Sequence, residues 1–168
     1  MIRTILLAGV ATAWLAGPAL SQPSAPAPPT PEFIKAAAST DEFERQEGRM
    51  AESDGASARV RDFGAMMVRD HTNTTMALKA AIHRAGLPPP AAPTLSAQQQ
   101  SNVAALRGLH GAAFDRAYMQ QQIEAHQTAL GVMQAYAAGG DNQVLRKAAG
   151  DTVPIVRRHL EMARHIVG

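Results

Sequence analysis

Cysteine is absent from this chain. That excludes disulfide staples, cysteine-based metal sites and lipid attachment at a cysteine. Aromatic residues make up only 4% of the sequence, and Trp14 is the single tryptophan. Alanine, glutamine, methionine and leucine dominate over the β-branched and aromatic types that strands favour, so the composition is that of an all-α protein. Charge of either sign is nearly balanced, with 16 basic against 14 acidic residues, and the basic ones are scattered. No basic stripe is available for nucleic acid. Nucleotide-binding glycine loops and nucleophile elbows are missing too, which removes the commonest sequence signatures of catalysis.

What is present begins at the N-terminus. Arg3 precedes an apolar run from Ile5 to Leu15, then Gly17, Pro18 and the small-residue sequence Ala19-Leu20-Ser21. This is the pattern of a secretory signal peptide over residues 1–21. Its apolar core is shorter than the roughly 20 residues a membrane span needs, and no second such run follows. Cleavage after Ser21 would deliver a periplasmic or secreted protein with no transmembrane segment. The loss of Arg3 would lower the formal charge from +2 to +1. Residues 22–31 read QPSAPAPPTP, a Pro/Ala-rich linker that favours extended conformations and cannot build a core. Residues 32–168 fit one domain by length.

Punctuation divides that domain into four long helices and a short one. Thr30 can cap the first, with Pro31 at its opening position, and Asp54-Gly55 ends it, giving about 31–53. Ser57 can cap the second, and Gly86-Leu87-Pro88 closes it, giving about 58–85. After the stiff PPPAAP connection, Ser96 with Gln99 three residues later forms a capping-box signature for a short helix up to about 107. The third long helix covers about 112–138 and is broken by Gly139-Gly140. Asp141 can cap the fourth, which continues to about 166 with a kink expected at Pro154, whose ring clashes with the carbonyl of Gly150.

Helical periodicity then sorts the faces. The second helix carries an inward stripe of Val60, Phe63, Met67, His71, Leu78 and Ile82. On the third it is Tyr118, Met119, Ile123, His126, Leu130 and Met133, and on the fourth Ile155, Val156, His159, Met162, Ala163 and Ile166. The first helix is ambiguous between Phe33, Ala37, Glu44, Ala51 and a neighbouring row of Phe43, Glu47, Met50, so a glutamate points inward on either choice. Glu44, His71 and His126 each lie about 13 to 15 residues from a helix end, or roughly 20 Å, and therefore share a level whichever way the helices run. His159 lies nearer its helix end.

A histidine on an apolar face is more often a hydrogen-bonded core residue than a ligand. Three imidazoles and a carboxylate at one depth are harder to leave without partners, since every buried polar group needs a hydrogen bond or a metal. The candidate metal ligands are Glu44, His71, His126 and His159, with Asp70 and Asp115 as outer partners. Asp115 is too far along its helix from His126 to touch the same ion, and a capping role or pairing with Arg116 suits it better. Methionines beside the inward histidines could suggest copper handling, but gap-filling core packing explains them better.

Four segments together resemble a known family: DEFERQEGRMA at Asp41 to Ala51, VRDFGAMMVRDHTNTT at Val60 to Thr75, GAAFDRAYMQQQIEAHQ at Gly111 to Gln127, and LRKAAGDTVPIVRRHLEMA at Leu145 to Ala163. The family is the exported, ferritin-like bacterial group filed as domain of unknown function 4142, often labelled as outer membrane proteins. The resemblance covers about Glu32 to His165. It implies an antiparallel four-helix bundle outside the cytoplasm with no established activity, and it favours Glu44 over Glu47, with the pair Asp70-His71 and with His126 and His159. Di-iron ferritins place a glutamate three residues before each ligand histidine on paired helices. The corresponding residues here are Val68, Ile123 and Val156, so a bridged di-iron centre lacks its carboxylates. Three imidazoles and one carboxylate suit a single zinc, iron, manganese or copper ion, and no thiolate decides among them. The sequence therefore leaves two readings: a metal-binding bundle without enzymatic activity, or an envelope or stress-related interaction protein whose histidines fix helix register.

Overall fold

The computed structural model describes residues 26–167, so the signal peptide expected over residues 1–21 and the start of the expected linker lie outside the described residues. The helices are α1 (Thr30–Asp54), α2 (Ala58–Arg84), α3 (Ala97–Arg107), α4 (Gly111–Gly139) and α5 (Gln143–Val167). No described helix is long and apolar enough to cross a membrane.

Several helix ends follow the expected chemistry. The Ser57 hydroxyl accepts from the Val60 amide, and Ser96 and Gln99 complete a reciprocal capping box. At the end of α2, Gly86 adopts φ +67°, its amide donates to the His83 carbonyl and the Leu87 amide donates to Ile82. That is the paired closure that a left-handed glycine permits.

Two expected caps are displaced by a tertiary contact. Thr30 does not cap α1. With Pro31 it lies inside the first turn, which therefore begins within the stretch read as linker. Its hydroxyl instead reaches Tyr136 and Asp141 across the bundle. Asp141, thus engaged, does not cap α5; the Asn142 side chain accepts from the Val144 and Leu145 amides. Asp115 accepts from the Ala56 and Ser57 amides, tying α4 to the α1–α2 turn and taking the capping role expected of it. The helix α5 runs on through Pro154.

Packing of α1 on α2 and of α4 on α5 forms two antiparallel hairpins, which meet through α2 against α5 and α1 against α4. Phe33 near the start of α1 stacks on Tyr136 near the end of α4 at 3.8 Å between ring centroids. The hairpins therefore run up-down then down-up, joined by a long crossover that carries α3, an arrangement found in ferritin-like bundles. At the α1–α2 crossing the backbones nearly touch. A Cβ on Gly64 would lie 2.6 Å from the Gly48 carbonyl, and one on Gly48 would lie 2.8 Å from the Gly64 carbonyl.

The core is split along the bundle axis. One apolar cluster joins Phe33, Ala37, Ala81, Ile82, Tyr136, Leu145 and Ala149. Another joins Ala51, Val60, Phe63, Met67, Leu106, Phe114, Tyr118, Met119 and Ala163. Along each long helix the buried polar residues Asp41, Glu44, Glu47, His71, Gln122, His126 and His159 fall between the two. The α1 ambiguity resolves in favour of both rows, because Phe43, Glu44 and Glu47 are all buried. On α5 the inward stripe is rotated from the expected one: Leu160 is buried and Met162 is exposed.

Candidate metal centre

His71 comes from α2, His126 from α4 and His159 from α5, and all three are buried. One nitrogen of each ring lies within 4.8 Å of one from each of the others. The level matching expected for His71 and His126 holds, and His159 joins them.

Each ring is held from its far side by an oxygen that can only accept. His71 Nδ1–H donates to Asp41 at 2.9 Å, His126 Nδ1–H donates to the Gln122 carbonyl at 2.8 Å, and His159 Nε2–H donates to Asp70 at 3.0 Å. Asp41 is itself fixed by the hydroxyls of Thr74 and Thr75. Asp70 is fixed by Arg69 and Arg158. With those protons committed outward, the inner nitrogens of neutral rings carry lone pairs.

The tightest inner contact is His126 Nε2 to His159 Nδ1 at 3.3 Å. Burial, reinforced by the charge on His71, pushes His126 down to about 3. Burial and the other two imidazoles pull His159 down to about 4 against the opposing effect of Asp70. Both rings are therefore neutral near pH 7, and a hydrogen bond between them would require one to abandon its outer acceptor. Lone pair faces lone pair. His71 differs: burial opposes its charge, but the Asp41 hydrogen bond and the nearby carboxylates of Glu44 and Asp70 outweigh it and hold this imidazole above its usual range. Its Nε2 has no partner among the described residues.

A metal with bonds of about 2.0 Å holds its ligand nitrogens roughly 3.3 to 3.5 Å apart. The His126–His159 spacing already fits, and the outer hydrogen bonds are of the kind that orient metal-binding imidazoles. Glu44 does not join the converging nitrogens. Its Oε1 lies 3.7 Å from His126 Nδ1, on the side of the ring that faces away from His159. Desolvation raises Glu44 to about 7. Desolvation and the charge of Glu44 raise Glu47 to about 9.

Asp41 and Gln122 are polar members of this layer that periodicity did not single out as part of the site, and Glu47, the alternative to Glu44 on α1, is buried beside it. Asp41 lies four residues after inward Ala37, and Gln122 four residues before His126, so the i,i+4 rule would have placed both on the inward face. The remaining histidines, His83, His110 and His165, are exposed.

The fold and site define an all-α bundle with a buried polar layer carrying three convergent imidazoles. The chain belongs to the family described as Domain of unknown function (DUF4142), whose model matches residues 16–166. No curated protein matches the sequence. Among solved structures, CopM in the Cu(I)-bound form aligns with TM-score 0.66 and 16% identity, over 80% of this chain and 92% of that one. CopM in the Cu(II)-bound form aligns with TM-score 0.68 and 15% identity, over 83% and 95% respectively. At that identity the likeness is one of fold.

Proposed function

We propose that this protein is an exported, non-enzymatic metal-binding bundle that holds a single ion between His71, His126 and His159. The observation that carries the reading is the 3.3 Å approach of two inner nitrogens whose rings both spend their protons elsewhere. A cation between them turns a repulsive contact into shared ligation. Of zinc, iron, manganese and copper, three imidazole nitrogens without a convergent oxygen suit copper or zinc better than manganese, and the ion takes the place of any proton on His71 Nε2. The resemblance in fold to copper-bound CopM supports trying copper first. Glu44, beside the outer nitrogen of His126, supplies negative charge near the bound ion.

The test is elemental analysis of the mature protein, purified from the periplasm without affinity tag or chelator, beside His126→Ala prepared identically and checked for helix content. About one ion per chain, missing from the variant, is the expected result. Metal-free wild type that also fails to take up Cu(I), Cu(II) or Zn(II) on reconstitution would overturn the reading.

A further inference from the structure

Next to the histidine trio lies a second group of buried polar atoms that gives the first site no ligand, Glu44 alone among them bearing on the trio through its charge. Glu44 Oε1 and Oε2, Glu47 Oε1, Gln122 Oε1 and the Tyr118 hydroxyl have no hydrogen-bond partner among the described residues. All four side chains belong to residues that are 0% exposed. They occupy successive turns of two facing helices, Glu44 and Glu47 on α1 and Tyr118 and Gln122 on α4. Inside the group Gln122 Nε2 donates to Glu47 Oε2 at 3.1 Å, which fixes the amide head against that carboxylate and close to Glu44 as well. The Tyr118 hydroxyl is close enough to both glutamates that their charges, after burial itself, hold its proton on.

We propose that Glu44, Glu47, Gln122 and Tyr118 form a second cation site, made of oxygen donors, that takes a hard divalent ion such as Mn2+ independently of the histidine trio.

The donor set argues for this class of ligand. Two carboxylates, an amide oxygen and a phenol oxygen are hard donors, suited to Mn2+, Mg2+ or Ca2+, whereas the trio offers imidazole nitrogens alone. Two buried carboxylates match the charge of one divalent cation. Among the described residues no lysine or arginine pairs with either glutamate; the His126 Nδ1 that lies 3.7 Å from Glu44 Oε1 belongs to a neutral ring, and the charged group that acts on Glu44 is the His71 imidazole. Neutral partners could quiet the oxygens one at a time, whereas a divalent cation that displaces any remaining carboxyl proton serves them together and offsets the cost of two like charges side by side. The site is distinct from the trio because His126 separates them: its inner nitrogen faces His159 and its outer nitrogen faces Glu44 and the Gln122 carbonyl.

Mn2+ is the probe, because its free aquo ion gives an electron paramagnetic resonance signal that bound ion loses. The full mature chain, stripped with chelator and exchanged into buffer at pH 8, is titrated with Mn2+ beside Glu47→Gln, Tyr118→Phe and His159→Gln, each confirmed as helical by circular dichroism. Wild type should remove about one Mn2+ per chain from the free signal. Glu47→Gln should bind at least tenfold more weakly, Tyr118→Phe should weaken binding without removing charge, and His159→Gln should bind Mn2+ as wild type does. Absence of Mn2+ uptake by folded wild type would overturn the proposal, as would uptake that survives in Glu47→Gln or disappears in His159→Gln. Cu(I) affinity, measured on the same four proteins by competition with a chromogenic chelator, reads the trio separately. Loss of copper binding only in His159→Gln leaves the two sites independently judged.

Discussion

Asp70 connects the surface to the buried layer: its carboxylate accepts the hydrogen bond from His159 Nε2–H while Arg69 and Arg158 hold it from outside. Replacing it with asparagine keeps the size but lets an amide N–H face the imidazole, which favours the wrong tautomer. Asp70→Asn should therefore weaken metal binding at the trio about 10- to 100-fold, the range seen when outer partners of metal-ligating histidines are lost. Competition titration against a chelator measures it, and unchanged affinity would remove Asp70 from the site. Glu47 supports a second residue-level prediction. Its folded pKa of about 9 lies far above the ordinary 4.5, so between those values the unfolded chain has released a proton that the fold retains. Stability from this group is complete below pH 4.5 and declines as pH rises toward 9. Below pH 6.5 the neutral His126 and His159 act in the opposite sense, since the unfolded chain protonates them and the fold does not. The metal-free protein should thus lose stability from pH 7 to 8.5, at about 1.4 kcal/mol per pH unit from Glu47. Glu47→Gln should flatten that slope in urea titrations, and an unchanged slope would show that Glu47 is ionised in the fold. At this scale the three histidines were legible because apolar neighbours framed each of them at helical spacing. Asp41 and Gln122 were not, because i,i+4 spacing can turn a polar residue inward but carries no sign of what it will meet across the bundle.

Helix limits were the most legible features, because Ser57, Ser96 with Gln99, and Gly86 act through bonds to residues a few positions away. Thr30 and Asp141 failed as caps for the complementary reason: they find each other over a separation of 111 residues, and no local rule sees that contact. The same limit hid the α1–α2 crossing, where Gly48 and Gly64 let two backbones approach. Alanine normally stabilises a helix interior by up to about 1 kcal/mol over glycine. At Gly64 the added carbon would lie 2.6 Å from the Gly48 carbonyl and 2.8 Å from Ala51 Cβ, so the helices must separate. Gly64→Ala should destabilise by about 1 to 3 kcal/mol, as overpacking does elsewhere, despite its better propensity. Gly131→Ala, on an open face of α4, should be neutral or stabilising. Thermal denaturation of the pair separates the effects, and equal behaviour would mean the crossing relaxes freely. The rotated face of α5 was missed because Leu160 and Met162 both satisfy an apolar stripe, and only the neighbouring helices choose between them.

Across the whole bundle, the polar layer interrupts the apolar core between its two clusters, so the ends of the molecule are each well packed and the middle depends on what fills it. The trio joins α2, α4 and α5, while α1 is tied in through Asp41. An ion at the trio therefore bridges both hairpins, and ligand binding to the folded state alone raises stability by mass action. At a free ion concentration of 100 times the dissociation constant the gain is about 2.7 kcal/mol. For a domain of this size that corresponds to a rise in melting temperature of about 8 °C. Wild type loaded with Cu(I) under anaerobic conditions should show this rise, and His126→Ala should show none. Hydrogen exchange should slow most in the central turns of α2, α4 and α5, and least in α3, which supplies no ligand and packs on the outside of α1 and α4. A histidine cluster that only fixed helix register would be stabilised equally without the ion. Loading would then leave both the melt and the exchange pattern where they were, and the short inner contact between His126 and His159 would have to be explained by a shared proton.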